Sequence, residues 1–481
     1  MSRRHLVGAI IATCSALLMA ACTTTLQGKA VSVFDDPFHV AGMAATDGPT
    51  GLRPHAKEPT KPVQRTDGGK IDTLAASAIG DIEEYWDGAY GHTFPGTFSS
   101  VEALISWDAN GFNGTFCGED TYGLVNAAFC SDDKTIGWDR GELLPSLKKA
   151  YGEMAVTMVL AHEYGHAVQR QAGLARKGTP TLVAEQQADC FAGTYMRWVA
   201  EGHSPRFTLS TGEGLNKVLA AVISFRDPLL AEGDPEVGVD EHGSAFERLS
   251  AFQFGFTDGP SACAAIDLRE IGQRRGDLPT LLPEKQTGEL PVTGESVRSV
   301  IDAMGILFPA AKPPQLSLEA SKGSGCPDAR PSSPASYCPA TNTIVVDLPE
   351  LKAIGVQTDS EDSAGLANGD NTAYSVLVSR YMQAIQAEHG GIALDNAEAA
   401  LRTACLTGVA TAKMSKKVTT RDGHTIALTA GDVDEAVSGI LANGLVASDV
   451  NGESVPSGFS RIDAFRVGVL GNEDRCFRRF R

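Results

Sequence analysis

The chain has 481 residues and carries 41 lysines and arginines against 59 aspartates and glutamates, a formal net charge of −18. Nucleic-acid binding depends on clustered Lys and Arg, so this acidic balance without basic blocks argues against a nucleic-acid partner. Beyond the N-terminus, no apolar stretch reaches the roughly 18–20 residues of a membrane-spanning helix, which excludes a multi-pass membrane protein. The length suggests roughly two to four domains.

Residues 1–22 have the pattern of a bacterial export signal. Two arginines precede a long apolar stretch that ends in Leu-Met-Ala-Ala-Cys22. This ending resembles a lipobox, in which Cys22 becomes the lipid-bearing N-terminus; in an ordinary signal peptide Cys22 would be incidental. Residues 23–69 are polar and contain Thr, Pro and Gly, which predicts a disordered tether. We therefore expect an exported protein, lipid-anchored to the cell membrane on its extracytoplasmic face.

The remaining cysteines indicate an internal duplication. They fall into two sets of four with nearly the same spacing: Cys117, Cys130, Cys190 and Cys263, then Cys326, Cys338, Cys405 and Cys476. Neighbouring residues also agree, since Arg248 and Phe252 of the first set match Arg461 and Phe465 of the second. The sequence therefore predicts two tandem copies of one module, 70–275 and 293–481, joined by a Pro- and Gly-containing linker, 276–292.

Eight cysteines in an exported protein predict four disulfides. Counting alone leaves the connectivity open. The duplication favours the pairing that closes each module on itself: Cys117–Cys130, Cys190–Cys263, Cys326–Cys338 and Cys405–Cys476. Each bridge is expected to stabilise the fold by roughly 2–4 kcal/mol, mainly by restricting the unfolded chain.

The segment His162-Glu163-Tyr-Gly-His166 is the strongest chemical signal. The apolar residues around it predict a buried helix that stops at Gly173. On a helix, His162 and His166 lie one turn apart on the same face, close enough to bind one metal ion. Glu163 lies beside them, where its carboxylate can act as a general base. The alternative is a pair of structural histidines.

The next predicted helix, which begins at Thr179-Pro180, offers a third ligand. A catalytic zinc has three protein ligands and one open position. Glu185 and Asp189 lie one turn apart on this helix, so Glu185 can complete the ligand set. Asp189 can accept the outer ring N–H of a ligand histidine. The alternative is a solvated acidic face.

These segments together resemble the bacterial family described as putative neutral zinc metallopeptidases. That family has an HE(F/Y)GH helix, an E-x-Q-A-D-C helix and an H-G-(S/T) segment in this order, and here they read HEYGHAVQ, EQQADCFAG and His242-Gly-Ser. The resemblance covers about 70–275. It implies a glutamate-zincin-like module with one zinc, with Glu163 as general base, and with three ligands: His162, His166 and Glu185. It gives no substrate.

His242 has two possible roles. Its ring could donate a hydrogen bond to the oxyanion that forms during peptide hydrolysis. Alternatively, it caps a local turn before Gly243.

The second copy has lost this chemistry at every matching position. Ser379, Arg380 and Gln383 replace the HExxH residues, Ala400 and Ala404 replace the two carboxylates, and Val455 replaces His242. The cysteines and apolar framework remain. Joint loss of these residues indicates that they are functional in the first copy. We expect the second copy to bind no metal and to bind substrate or a partner protein.

The sequence thus predicts an α+β protein with two tandem zincin-like modules, each mainly helical with a small sheet. Its predicted function is that of a zinc metallopeptidase acting on a peptide or protein substrate. The strand at 134–139 is expected to pair with an extended substrate. Two alternatives are a zinc amidase acting on cell-wall peptides and a non-catalytic binding lipoprotein with structural zinc. An intact Glu163 argues against the latter.

Overall fold

The computed structural model describes residues 36–111, 114–239, 241–357 and 365–481. The predicted signal at residues 1–22, its Cys22 and the first part of the predicted tether lie outside the described residues. Contacts group the described residues from Asp36 to Arg481 into one unit. Of the helices in this part of the chain, none combines the length and the apolar character that crossing a membrane requires.

The first half consists of helices packed around a small sheet. Its strands are β1 (His39–Val40), β2 (Met43–Ala44), β3 (Gly51–Leu52), β4 (Val63–Gln64), β5 (Ala103–Trp107), β6 (Thr115–Phe116), β7 (Glu119–Asp120), β8 (Ala127–Cys130), β9 (Thr135–Asp139) and β10 (Phe207–Thr208). Its helices are α1 (Lys70–Thr93), α2 (Leu143–Tyr151), α3 (Glu153–Ala172), α4 (Thr181–Ala200), α5 (Glu213–Ser224), α6 (Ala245–Asp258), α7 (Pro260–Ala264) and α8 (Leu268–Arg275).

The second half repeats this plan with fewer strands. Its strands are β11 (Gln315–Ser317), β12 (Ala335–Cys338), β13 (Thr343–Val346), β14 (Val418–Thr419) and β15 (Thr425–Ile426). Its helices are α9 (Gly294–Leu307), α10 (Leu348–Ile354), α11 (Asp370–His389), α12 (Ala397–Met414), α13 (Asp432–Ala442), α14 (Gly458–Val469) and α15 (Glu473–Arg479). Two short 3-10 helices cover Ala320–Gly325 and Leu445–Ala447.

The main sheets of the two halves share one topology. The first has the strand order β4-β5-β9-β8, with β5 parallel and β8 antiparallel to β9. The second has the order β11-β13-β12, with β11 parallel and β12 antiparallel to β13. The helix-rich α+β class with small sheets, predicted from the sequence, is confirmed.

The helices repeat as closely as the sheets. Helix α3 begins after Gly152 and ends before Gly173, and α11 begins after Gly369 and ends before Gly390. In each half two helices cross at a glycine: a β-carbon at Gly255 of α6 would overlap the carbonyl oxygen of Cys190 in α4. A β-carbon at Gly468 of α14 would overlap the carbonyl oxygen of Cys405 in α12 in the same way. The two close crossings explain why glycine stands at both positions.

The structure contains four disulfides, and each closes within one half. The bonded pairs are Cys117–Cys130, Cys190–Cys263, Cys326–Cys338 and Cys405–Cys476. These are the pairs that the duplication favoured. Each half thus has one short bridge, which ends in β8 or β12, and one long bridge, which starts from α4 or α12.

Residues 36–69 correct the expectation of a disordered tether. Strand β3 pairs with β10, and β4 pairs with β5 at the edge of the main sheet. The backbone N–H of Leu52 donates to the Glu153 carboxylate at 2.9 Å, and Val40 is fully buried. The segment looks polar in sequence, yet its few apolar residues and its backbone groups find partners on the folded body.

The two halves pack against each other through equivalent elements. The N–H of Gly458 in α14 donates to the Asn216 side chain in α5 at 2.9 Å. In return, the N–H of Phe246 in α6 donates to the Asp434 carboxylate in α13 at 3.1 Å. The buried apolar side chains of both halves form one continuous cluster. The contact is therefore reciprocal, as in a two-fold symmetric interface.

Candidate metal centre

Helices α3 and α4 bring His162, His166 and Glu185 together. The Nε2 atom of His162 lies 3.1 Å from Oε2 of Glu185, and Nε2 of His166 lies 3.3 Å from Oε1 of the same carboxylate. One donor atom from each residue lies within 4.8 Å of the other two. His162 and Glu185 are buried. The structure thus places the predicted ligand set at one point.

The tautomer of His162 is set by Asp189. Nδ1 of His162 lies 2.8 Å from Oδ1 of Asp189, and Arg248 donates to the same oxygen at 2.8 Å. Burial raises the pKa of Asp189, but Arg248 and His162 lower it by more, so the carboxyl is ionised and only accepts. Nδ1 therefore carries the proton, and Nε2 presents a lone pair to the cluster.

The tautomer of His166 is set by Gln169. Its side-chain NH₂ donates to the carbonyl oxygen of Ala184 and to the side-chain oxygen of Gln187. These two bonds fix the amide so that its oxygen faces Nδ1 of His166 at 3.0 Å. The sequence analysis missed Gln169, although its position three residues after His166 on a helix was a usable signal.

The geometry of the three donors fits a shared cation. With both Nδ1 atoms protonated, two nitrogen lone pairs face the acceptor oxygens of Glu185, which is repulsive unless positive charge lies among them. Burial lowers the pKa of His162, but Asp189 and Glu185 more than offset it and raise the pKa to about 10, so Nε2 also holds a proton when no metal is bound, and a bound cation would displace that proton. Two nitrogens and one carboxylate are a usual catalytic-zinc set, and bonds of about 2.0–2.1 Å in tetrahedral geometry place ligand atoms about 3.3 Å apart. The residues fit zinc.

Glu163 lies beside the cluster and outside the ligand set. Its Oε2 accepts the backbone N–H of Phe129 in β8 at 3.1 Å. Burial raises the pKa of its carboxyl, and the adjacent His162 and His166 reduce this effect. The carboxylate is thus held between the metal centre and β8.

The strand that Glu163 contacts is the free edge of the main sheet. Strand β9 has neighbours on both sides, so its backbone groups are already paired. The expectation that residues 134–139 pair with a substrate is therefore wrong. The strand next to the metal centre with an unpaired side is β8, which runs antiparallel to β9.

His242 lies at the rim of the centre. Its Nε2 is 3.8 Å from Oε2 of Glu185, and its side chain is 44% exposed. The backbone N–H groups of His242 and Gly243 donate to the Asp227 carboxylate, and Nδ1 of His242 lies 3.3 Å from it. Helix α6 is capped by Ser244, not by His242. The sequence analysis missed Asp227, which orients both the backbone and the ring of His242.

The matching place in the second half is filled by structural hydrogen bonds. Arg380 donates to the carbonyl oxygen of Ala335 and to the Ser448 hydroxyl, and Gln383 donates to the carbonyl oxygens of Ser448 and Asp449. The Ser379 hydroxyl donates to the carbonyl oxygen of Val376 in its own helix. Within the described residues, no group of metal-binding side chains occurs at this place.

Comparison with known proteins adds a family. Residues 35–266 match the family described as putative neutral zinc metallopeptidase. The uncharacterized proteins Rv2575 of Mycobacterium tuberculosis and Mb2605 of Mycobacterium bovis are each 28% identical over 181 residues, which cover 33% of this chain and 61% of the relative. The uncharacterized protein YpfJ of Escherichia coli is 30% identical over 173 residues, covering 32% of this chain and 58% of the relative.

Each match covers part of the chain. The chain spans about three fifths of the length of these relatives. The family match ends at residue 266, before the second half begins. No solved structure matches the chain.

Proposed function

We propose that this chain, whose residues 35–266 belong to the putative neutral zinc metallopeptidase family, is a zinc-dependent peptidase acting outside the cytoplasm. The observation that carries the proposal is the buried group of His162, His166 and Glu185. Glu163 stands beside it, and the second half has none of these residues at the matching positions.

A zinc ion held by His162, His166 and Glu185 would supply Lewis acidity to a water molecule and to the carbonyl group of the bond to be cut. Glu163 takes the proton at its carboxylate and passes it to the leaving amine. The bond from Phe129 holds this carboxylate in place.

Two further groups position the substrate in this proposal. The side of β8 that faces away from β9 binds an extended peptide through its carbonyl oxygens, because the N–H groups of Ala127 and Phe129 on that side already donate to Asn126 and Glu163. The ring of His242, oriented by Asp227, donates a hydrogen bond to the oxygen of the carbonyl group under attack. A peptide on β8 would then run past Glu163.

The location follows from two kinds of support. Four disulfides suggest an extracytoplasmic protein, because such bonds persist in oxidising compartments. Lipid anchoring through Cys22 is part of the proposal and rests on the lipobox-like sequence alone.

Zinc analysis and cleavage of a random peptide library by the purified protein test the function together. We expect about one zinc per chain, lost in the His162→Ala, His166→Ala double variant. Glu163→Gln should keep zinc and lose about 10²–10⁴-fold in turnover, because an amide cannot accept the proton.

Tyr164→Phe is the matched control for these variants. The Tyr164 hydroxyl donates to Glu83 and accepts from the backbone of Val101, away from the ligands. Its loss should leave zinc content and turnover within a few-fold of the wild type. Absence of zinc, or turnover by Glu163→Gln within about tenfold of wild type, would contradict the proposed chemistry. Cleavage of cell-wall peptides alone would favour the amidase.

A further inference from the structure

A cavity of about 660 Å³ lies at the boundary between the two halves. Leu182, which lies in its wall, is one helical turn before the candidate ligand Glu185 on α4. Gly243 and Asp227 also lie in the wall, and they flank or bind His242. The cavity and the metal centre therefore share two structural elements, helix α4 and the segment that carries His242.

The cavity has apolar walls from both halves of the chain. Leu229 and Phe246 come from the first half, and Ala430 and Val433 from the second. Leu229 is 46% exposed, although it is a large apolar side chain. The volume of the cavity lies within the roughly 300–1,000 Å³ typical of sites that bind small molecules. An apolar side chain entering the cavity would cover Leu229 and gain free energy by leaving water.

The charges in the wall exclude some ligands. Carboxylates outnumber guanidinium groups there even without Glu435, which burial and neighbouring carboxylates keep protonated: Asp227, Glu241, Glu247 and Asp434 against Arg226 and Arg275. Arg275 is already paired with Glu247 at 2.8 Å. Arg226 donates to the carbonyl oxygens of Ile223 and Gly365. An acidic side chain in the cavity would thus be repelled by the excess negative charge. An apolar side chain has no charge and would not be repelled.

We propose that this cavity is the subsite for an apolar side chain of the peptide substrate, close to the bond that is cut. The second half of the chain then sets specificity, because it provides one wall through Ala430 and Val433. The proposal rests on the proposed function, in which the metal centre cleaves peptides.

Peptide selection on a non-cleaving protein tests the subsite directly. Zinc-loaded Glu163→Gln protein is immobilised and incubated with a random-sequence octapeptide library, and bound peptides are sequenced. Leu229→Glu and Ala430→Leu are then introduced separately into this background. Leu229 is partly exposed, so its replacement should leave the fold intact. Leu268→Glu is the matched control, since Leu268 is 56% exposed on α8 and is not in the wall.

Bound peptides should be enriched at least about fivefold in Leu, Met or Phe at one position. Leu229→Glu should move this enrichment toward Lys or Arg, and Ala430→Leu should move it toward Ala or Val because it narrows the cavity. The control should keep the wild-type profile. Unchanged profiles in both wall variants, enrichment of Asp or Glu, or no enrichment at any position would overturn the proposal.

Cleavage of the same library by the wild-type protein is measured in parallel. This arm separates the two hypotheses. If binding preferences shift as expected but the wild type cuts nothing, the subsite stands and the peptidase function fails. If the wild type cleaves and the wall variants keep its profile, the function stands and the subsite fails.

Discussion

At the metal centre, each histidine is oriented by a different kind of acceptor. A buried, ionised carboxylate holds His162, and a neutral amide holds His166. Acceptors of this kind fix the ring and make the ligand nitrogen more basic. Gln169 can do so only because Ala184 and Gln187 accept its two N–H groups.

Replacing Gln169 by Leu should therefore weaken zinc binding while leaving all three ligands in place. Loss of such an outer partner typically lowers metal affinity by about 10–100-fold. The matched control is Gln171→Leu, two residues along the same helix, where the side chain bonds to Ser99 at the surface. Chelator competition gives both zinc dissociation constants. Equal affinities for the two variants would show that Gln169 does not support the ligand.

Spacing along the sequence was enough to predict that the side chains of His162, His166 and Glu185 lie together, because they are on two helices whose period is known. It could not find Asp227 or fix the position of His242. Their relation depends on a loop that folds back on helix α6, which no local pattern encodes. The role of Gln169 was partly predictable. Its spacing from His166 along the helix could be seen in the sequence, but the acceptors of its N–H groups near α4 could not.

Helix α11 begins in a group of buried carboxylates. Glu289, Asp370 and Glu435 place donor oxygens within 4.8 Å of one another, and Asp432 lies near them. Burial and the neighbouring carboxylates raise the pKa of Glu435 to about 9. Burial chiefly raises the pKa of Asp370 to about 7. The folded protein therefore binds protons here that the unfolded chain releases at lower pH.

The sign of the pH effect follows from this linkage. Stability is greatest when these carboxyl groups are protonated in both states, and it falls as pH rises from about 4.5, the ordinary pKa of Glu. Glu435→Gln removes one ionisable group and can still accept the N–H of Asn371. It should raise the unfolding midpoint at pH 8, by about 2–4 °C per kcal/mol of relieved free energy, and change little near pH 4.5.

Glu398→Gln, in the first turn of α12 at a half-buried position, is the control for this prediction. Thermal unfolding followed by circular dichroism at both pH values is the measurement. A midpoint for Glu435→Gln that stays at the wild-type value at pH 8 would contradict the linkage.

Whole elements were predictable to different degrees. The stop of helix α3 at Gly173 is confirmed, because a left-handed residue after a buried helix is a local signal. Helix α4 begins at Thr181, with Pro180 as its cap, rather than with Thr179 as the cap. The order in residues 36–69 was missed, because strands β3 and β4 exist only through pairing with β10 and β5, which are distant in sequence. For the same reason, the position of β8 at the edge of the sheet could not be predicted from the sequence.

At the scale of the molecule, the cysteines and the matching residues predict a duplication, and the structure shows how the two halves meet. Asn216 of α5 binds the start of α14, and Asp434 of α13 binds the start of α6. The two contacts are equivalent in position, but the helices that they hold, α6 and α14, have different surroundings. Helix α6 carries Arg248, which holds Asp189 against His162. Helix α14 carries Arg461, which matches Arg248 but donates to the backbone carbonyl oxygens of Ile440 and Leu441.

This asymmetry gives a matched pair of variants for testing whether the second half supports the metal centre. Asp434→Ala and Asn216→Ala each leave a buried helix N-terminus without its acceptor, which typically costs about 1–3 kcal/mol. Both should lower the unfolding midpoint, but only Asp434→Ala should also weaken zinc binding. The expected loss is on the order of fivefold, less than for a residue that contacts a ligand directly.

Asp434→Asn should restore the zinc affinity, because its amide oxygen can accept the same N–H from Phe246 that the carboxylate accepts. Chelator competition on all three variants, beside thermal unfolding, separates positioning from stability. Equal zinc affinities in Asp434→Ala and Asn216→Ala, at similar losses of stability, would mean that the second half stabilises the first without shaping its site. If only Asp434→Ala loses zinc affinity, and Asp434→Asn restores it, then the second half helps to hold the metal ligands of the first half in place.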